Sequence, residues 1–200
     1  MINNKENISC AILAGGKSKR MNGVNKALIE IGSANNLEKI INISNKLFAE
    51  TLLITNDNLP YKKYDNIKLF SDIYKDIGPL GGIHSALKNS SYKSVFFFSN
   101  DMPFVNIDIV QEEIRIFEKF KCDIIIPRIN KFIEPLHAIY SVSILETLEE
   151  HIKTADNYWI RSIFDKVNVN YWDLEDNKVN RKAFTNINTQ QDLMKASDHK

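Results

Sequence analysis

The 200-residue sequence predicts an α/β domain in three layers, with a mostly parallel central sheet between helices. Three observations carry this. Apolar runs of strand length alternate with helix-period patterns along most of the chain. The strand-like runs are almost continuously apolar, as in strands buried on both faces. Glycine or a short polar residue follows the best of them, which is where an open parallel sheet binds ligands.

The elements follow in order. Ile8 to Ala14 reads as the first strand. Leu37, Ile40, Ile41, Ser44, Leu47 and Phe48 then fall at helical spacing. Thr51 to Thr55 and Ile67 to Phe70 are the next strands, and Gly81 to Asn89 is a short helix after a glycine-rich turn. Val95 to Ser99 is the clearest strand, and Asn100-Asp101-Met102-Pro103 ends it with a carboxylate in a proline-stopped loop. A helix from Ile107 to Phe120, a strand from Asp123 to Pro127 and a helix from Ser143 to Lys153 follow. The remainder is less regular until Thr189 to Ala196, a closing helix with Thr189 as its N-cap. The region from Asn157 to Arg181 yields no definite element.

Composition narrows the function classes. With 44% hydrophobic and 26% charged residues, the chain suits one domain over 1–200 with a sizeable core. The formal charge of +1 provides no global field for nucleic acid or an anionic membrane, so any phosphate recognition must be local. No segment reaches the roughly 20 apolar residues of a membrane helix. The apolar run near the N-terminus is too short for a signal peptide. Cys10 and Cys122 stand outside any CxxC or Cys/His cluster and are expected to be buried, reduced thiols of a cytoplasmic protein.

The residues just after the strands converge on one rim: Gly15-Gly16, Asn56-Asp57, Ser71-Asp72 and Asn100-Asp101. The opening stretch AILAGGKSKRMNGVNK, Ala11 to Lys26, contains the Gly-Lys-Ser that closes a P-loop. The first P-loop glycine would have to fall at Ala11, inside an apolar strand, and no G-x-G-x-x-G occurs either. What remains is a strand ending in two glycines, followed by Lys17, Lys19, Arg20 and Lys26. Backbone N–H groups at glycines approach an anion closely, Arg20 suits bidentate contact with phosphate, and Lys26 is a compact point charge. On charge alone, a solvated basic turn is an equal alternative.

The segment LAGGKSKRMNGVNKALIEIG, Leu13 to Gly32, resembles the opening signature of the molybdenum cofactor guanylyltransferases, which read L-A-G-G, then R-M-G, then a lysine before an apolar strand. The likeness continues through GPLGG (78–82), NDMPF (100–104), EPLHAIY (134–140) and AFTNINTQQDL (183–193), and so covers nearly the whole chain. Asn22 stands at the glycine of R-M-G, Asn25 replaces a frequent acid before Lys26, and Asn100 occupies a place where cysteine is common.

The resemblance implies a Rossmann-like nucleotidyltransferase fold, with a nucleotide-binding part over about 8–105 and an acceptor-binding part over about 106–200. It implies transfer of GMP from GTP to the terminal phosphate of molybdopterin, with Mg²⁺ as cofactor. GTP and molybdopterin are thus the expected small-molecule partners, and molybdenum-insertion proteins and molybdoenzyme chaperones the expected protein partners. Arg20, Lys26 and Asp101 become the catalytic candidates, and Asp101 the metal ligand. The nucleotide-binding set is Leu13, Ala14, Gly15, Gly16, Lys26, Asn56, Asp72, Gly78, Pro79, Leu80 and Asp101. Backbone groups of the 78–82 turn are expected to read the guanine edge. His137, Asn186 and Asn188 are the acceptor-binding candidates, although a lone histidine in an apolar strand also suits a structural role. Arg161 reads equally well as an acceptor contact or a helix-face residue. Two competing readings stay open: a related nucleotidyltransferase using CTP or another phosphorylated acceptor, and a catalytically idle nucleotide-binding module.

Overall fold

A computed structural model describes residues 6–14, 30–31, 34–57, 61–187 and 192. Among them the chain runs through β1 (Glu6–Leu13), β2 (Glu30–Ile31), β3 (Ala34–Asn35), α1 (Asn36–Leu47), β4 (Phe48–Ile54), β5 (Lys68–Phe70), α2 (Pro79–Asn89) and β6 (Ser94–Ser99). It continues through α3 (Ile107–Lys119), β7 (Ile124–Ile129), β8 (Phe132–Ile133), β9 (His137–Ser141), α4 (Leu145–Thr154), β10 (Val169–Asp173) and α5 (Lys178–Ala183). Short 3-10 turns at Val142–Ile144 and Ile160–Lys166 flank α4.

The main sheet has the order β10-β7-β9-β6-β1-β4-β5, with β8 paired to β7. Its core is parallel: β1 pairs with β4 and β6, β4 with β5, and β7 with β10. β9 is the exception, antiparallel to both β6 and β7. Only the short β8 segment separates it from β7, so the chain reverses instead of crossing over through a helix.

Alternation along the strands divides the core in two. On one face Ala11, Leu13, Leu52, Ile54, Val95 and Phe97 pack with Leu80, Ile83 and Leu87 of α2 and Leu148 and Ile152 of α4. On the other, Cys10, Ile12, Leu53, Phe96 and Phe98 pack with Leu37, Ile40 and Ile41 of α1 and Val110 and Ile114 of α3. Helices therefore cover both faces, as the continuous apolar character of β1 and β6 requires. Val95 to Phe98 are fully buried, and each large side chain there contributes about 1.5–3 kcal/mol of burial free energy.

The helices begin where polar side chains satisfy their first N–H groups. Asn35 accepts from Glu38 N–H ahead of α1, and Asn106 accepts from Asp108 and Ile109 N–H ahead of α3. The helix expected from Gly81 begins two residues earlier, at Pro79. Proline suits the first helical position because its missing N–H would have no intrahelical partner there. The stretch from 157 to 181, opaque in sequence, contains the second 3-10 turn, β10 and most of α5. The helix expected over Thr189 to Ala196 lies outside the described residues, apart from Asp192.

Cys10 is buried and its thiol is pushed up to about 12 by burial. Cys122 is half-buried, and its thiol is raised mainly for the same reason; neither forms a disulfide. Among the described residues no helix is long and apolar enough to cross a membrane.

Candidate active site

The strand order reverses at β1. The chain builds outward through β4 and β5 on one side, then returns with β6 on the other. Such a switch point opens a crevice beyond the carboxyl ends of the strands. The register makes that rim level: Leu13 pairs with Ile54 and with Ser99, and Ile54 with Phe70. β9 begins at the same end, since His137 pairs with Phe98 in the antiparallel register.

The β4 and β5 ends supply one wall. Asn56 Nδ2 donates to Asp72 Oδ2 at 2.8 Å, and Asp72 N–H donates back to Asn56 Oδ1 at 3.1 Å. Two residues expected to contact the nucleotide are thus brought together across the sheet edge, each holding the other's rotamer. Ser85 of α2 accepts from Ile73 N–H at 2.7 Å, which ties the same segment to the helix.

The α2 N-terminus adjoins this wall. Gly78, the N-cap, has φ 65° and ψ −151°, a conformation essentially restricted to glycine. A Cβ on Gly81 would lie 2.5 Å from the Tyr74 carbonyl oxygen. A Cβ on Gly82 would lie 3.1 Å from Leu13 Cδ2 and 3.7 Å from Asp72 Oδ1. Glycines at 81 and 82 therefore let the helix start settle against the end of β1 and against Asp72. Leu80, an expected nucleotide contact, is fully buried, with its side chain in the core beside Ile83 and Leu87. A helix N-terminus at this position carries partial positive charge.

The β6 end supplies the carboxylate. Ser99 Oγ donates to Asp101 Oδ1 at 2.5 Å. The Asp101 carbonyl accepts from Ile187 N–H at 2.8 Å, and the preceding Asn100 carbonyl accepts from Asn36 Nδ2 at 2.5 Å. The loop is thus held from α1 on one side and from the chain after α5 on the other. Asn186, expected at the acceptor site, arrives next to Asp101 by this route.

Glu134, to which the sequence reading assigned no role, joins them. Its carboxyl is pushed up to about 7, first by burial and then by the negative charge of Asp101, against the opposing effect of a hydrogen bond from Asn186. The acid of Glu-Pro-Leu was visible in the sequence, but a separation of 33 positions from Asp101 gave no hint that their charges interact.

His137 is a correction. It was expected at the acceptor, yet its side chain is completely buried. The ring stands edge-on to Phe96, Phe98 and Phe184, and Nδ1 lies 3.1 Å from Glu113 Oε2. Burial pushes the imidazole down to about 4 and the Glu113 carboxyl well up, so the pair is held uncharged in the core. Its position in the apolar run of β9 explains this: side chains there alternate into the two packed faces. Arg161 lies exposed on the second 3-10 turn. Gly15, Gly16, Arg20, Lys26 and Asn188 lie outside the described residues.

The comparisons with known proteins agree with this architecture. A family model described as the MobA-like NTP transferase domain matches residues 10–169. A protein of Clostridium perfringens strain 13 named as a probable molybdenum cofactor guanylyltransferase is 37% identical over 199 residues, covering 95% of this chain and 98% of its own. A protein of the same name from Methanosarcina mazei is 32% identical over 205 residues, covering 96% and 90%. The crystal structure of molybdopterin-guanine dinucleotide biosynthesis protein A from Archaeoglobus fulgidus superposes with a TM-score of 0.78 at 27% identity, covering 96% of this chain and 97% of that one. With the level strand ends, the Asn56–Asp72 wall and the carboxylate at the end of β6, these matches establish that the chain belongs to the MobA-like NTP transferase family.

Proposed function

We propose that this protein is a molybdenum cofactor guanylyltransferase, which moves GMP from GTP to the terminal phosphate of molybdopterin and releases pyrophosphate. The observation that carries the reading is the convergence of Asp101, Glu134 and Asn186 at the switch point of the sheet, beside the wall formed by Asn56, Asp72 and the start of α2. One side of the crevice suits a nucleotide, and the other an acceptor.

In the reaction an oxygen of the acceptor phosphate forms a bond to the α-phosphorus of GTP, and the bond from that phosphorus to the bridging oxygen of pyrophosphate breaks. Both reactants are anions, so alignment and charge neutralisation are the main tasks, and no side-chain nucleophile is needed. Arg20 and Lys26 are proposed to hold the phosphates, with the backbone of Gly15 and Gly16 approaching closely. Asn56 and Asp72 would position the nucleoside, and the backbone at the start of α2 would read the guanine edge.

The cation that fits is Mg²⁺, which takes one or two carboxylates together with phosphate oxygens. Asp101 would hold it. The repulsion between Asp101 and Glu134 is the kind of local charge excess that such an ion relieves. When bound, it would neutralise charge on the phosphates. Delivery of molybdopterin and onward transfer of the product by insertion proteins and chaperones belong to the same proposal.

The test is Mg²⁺-dependent pyrophosphate release with molybdopterin as acceptor, comparing GTP, CTP and ATP at equal concentration. A GTP preference of ~10²-fold, about 2.7 kcal/mol in transition-state binding, is the expected result. Faster release with CTP would move the protein to the cytidylyl branch, and no release with any nucleotide would overturn the reading.

A further inference from the structure

Asn36 is a buried asparagine that the helix it begins does not need. It is the first residue of α1 and only 3% exposed. Asn35 already caps the helix, its Oδ1 accepting from Glu38 N–H at 2.9 Å. Asparagine is a poor helix former, and a buried polar atom left unpaired is costly. Among the described residues the Asn36 amide makes one hydrogen bond: Nδ2 donates to the Asn100 carbonyl at 2.5 Å. A carbonyl oxygen only accepts, so the NH₂ end of the amide must face it. Oδ1 is then turned elsewhere, buried and without a hydrogen-bond partner among the described residues. Asn36 thus keeps an unsatisfied acceptor for the sake of one donor, and that donor goes to the residue before Asp101.

The helix that carries Asn36 is a firm reference. Leu37, Ile40 and Ile41 seat α1 in the core with Ile12 of β1 and Phe98 of β6. The β2–β3 ribbon, which follows the Lys26 stretch in sequence, ends in the Glu30–Asn35 pair, directly before Asn36. On the far side, the loop is held by Ser99 N–H donating to the Leu136 carbonyl at 2.9 Å and by Ile187 N–H donating to the Asp101 carbonyl at 2.8 Å. Asn36 holds it from the α1 side, through Asn100.

We propose that Asn36 is a positioning residue for the Asp101 carboxylate: its amide fixes the Asn100 carbonyl, and with it the path by which the chain leaves β6 and presents Asp101 to the cation and the phosphates. The inference rests on the functional reading above, which puts the cation at Asp101. Asn36 touches no reacting atom in this role and acts through the backbone of Asn100. Without it the loop keeps its attachments to the β9 and C-terminal segments and can pivot about them. Groups that hold a metal-binding side chain in place commonly matter by roughly 10–100-fold.

The experiment compares wild type with Asn36→Leu, which keeps the volume and removes the donor. It combines urea melts, hydrogen exchange, Mn²⁺ binding in the presence of GTP without acceptor, and steady-state kinetics. Removal of the unpaired Oδ1 offsets the lost hydrogen bond, so the melt is expected to stay near wild type. Amide exchange over 100–104 should quicken about tenfold while that of α1 is unchanged. The Mn²⁺ concentration for half-binding and the Mg²⁺ activation midpoint should each rise about tenfold, and kcat at saturating Mg²⁺ should fall about tenfold. KM for GTP and for molybdopterin should stay within twofold. A folded variant with wild-type kcat and metal midpoints overturns the inference. So does a tenfold rise in KM for GTP with unchanged metal midpoints, which would put Asn36 on the nucleotide. Exchange that quickens in α1 alone also overturns it, because Asn36 would then serve only the helix. Should Asn36→Leu fail to fold, Asn36→Ala removes the same donor with the best helix former, and the same outcomes decide. A wild-type protein that releases no pyrophosphate fails the functional reading itself, whereas the exchange and Mn²⁺ measurements need no turnover and judge this inference separately.

Discussion

Asp101 stands where β6 leaves the sheet, and its surroundings separate its chemistry from its role in the fold. Its carboxylate accepts from Ser99, while the loop's attachment to Asn36 and Ile187 runs through backbone carbonyls that a side-chain change leaves in place. Asp101→Asn is therefore expected to retain a cooperative melt close to wild type while Mg²⁺-dependent turnover disappears. Near-wild-type rates in a folded variant would remove Asp101 from the metal role. At the same scale, Glu134 illustrates what a residue-by-residue reading cannot reach. Its carboxyl is an ordinary acid in sequence, and only burial, followed by the approach of Asp101, gives it a distinctive environment. His137 shows a sequence reading with two outcomes. A histidine inside a matched segment suited either an acceptor contact or a structural role, and the alternation of β9 buried it against Glu113.

Among the elements, the start of α2 depends most on residue size. The Tyr74 carbonyl lies where a Cβ on Gly81 would project, with Ile77 Cγ1 also close at 3.1 Å. Because the obstacle is backbone, it cannot rotate away. Gly81→Ala is expected to destabilise the protein by about 1–3 kcal/mol, the usual cost of overpacking, read as a lowered urea midpoint at unchanged slope. Gly82→Ala should cost less, because its nearest obstacle is the end of the Leu13 side chain. The periodic helices and continuous strands were legible in sequence: α1, α3, β1 and β6 fall within two residues of expectation at each end. The elements given no bounds in sequence were the short β2, β3 and β8, and also β9, β10 and α5. The β10 residues Val169 to Trp172 are only half-buried, so the run lacks the dense apolar signature of a central strand. Its pairing with β7 joins residues about 45 positions apart.

For the molecule as a whole, the end of the sheet opposite the active site is closed by a buried carboxylate. Glu50 of β4 is almost fully buried, and it accepts from Ser9 Oγ of β1 at 2.5 Å, from Ser91 N–H and Oγ ahead of β6, and from Lys68 Nζ of β5 at 2.6 Å. Burial by itself would raise this carboxyl, but the hydrogen bonds outweigh it and hold the group down at about 2. A depressed carboxyl adds stability above its unfolded value of about 4.5, and that stability is lost as pH falls toward 2. Glu50→Gln is expected to cost about 1–3 kcal/mol at pH 7 and to flatten the loss of stability between pH 5 and pH 2, measured by urea unfolding across that range. A variant whose acid limb matched wild type would show that Glu50 does not couple these strands to pH. The sequence by itself determined the α/β class, the central strands and the placement of Asp101 at a strand end, because burial periodicity and turn chemistry are local properties. Only the tertiary structure decided that β9 runs antiparallel, that Asn56 holds Asp72, that His137 is core, and that Glu134 comes close enough to Asp101 for their charges to interact. Each of these depends on contacts between segments far apart in the chain, which become neighbours only when the sheet has closed around its core.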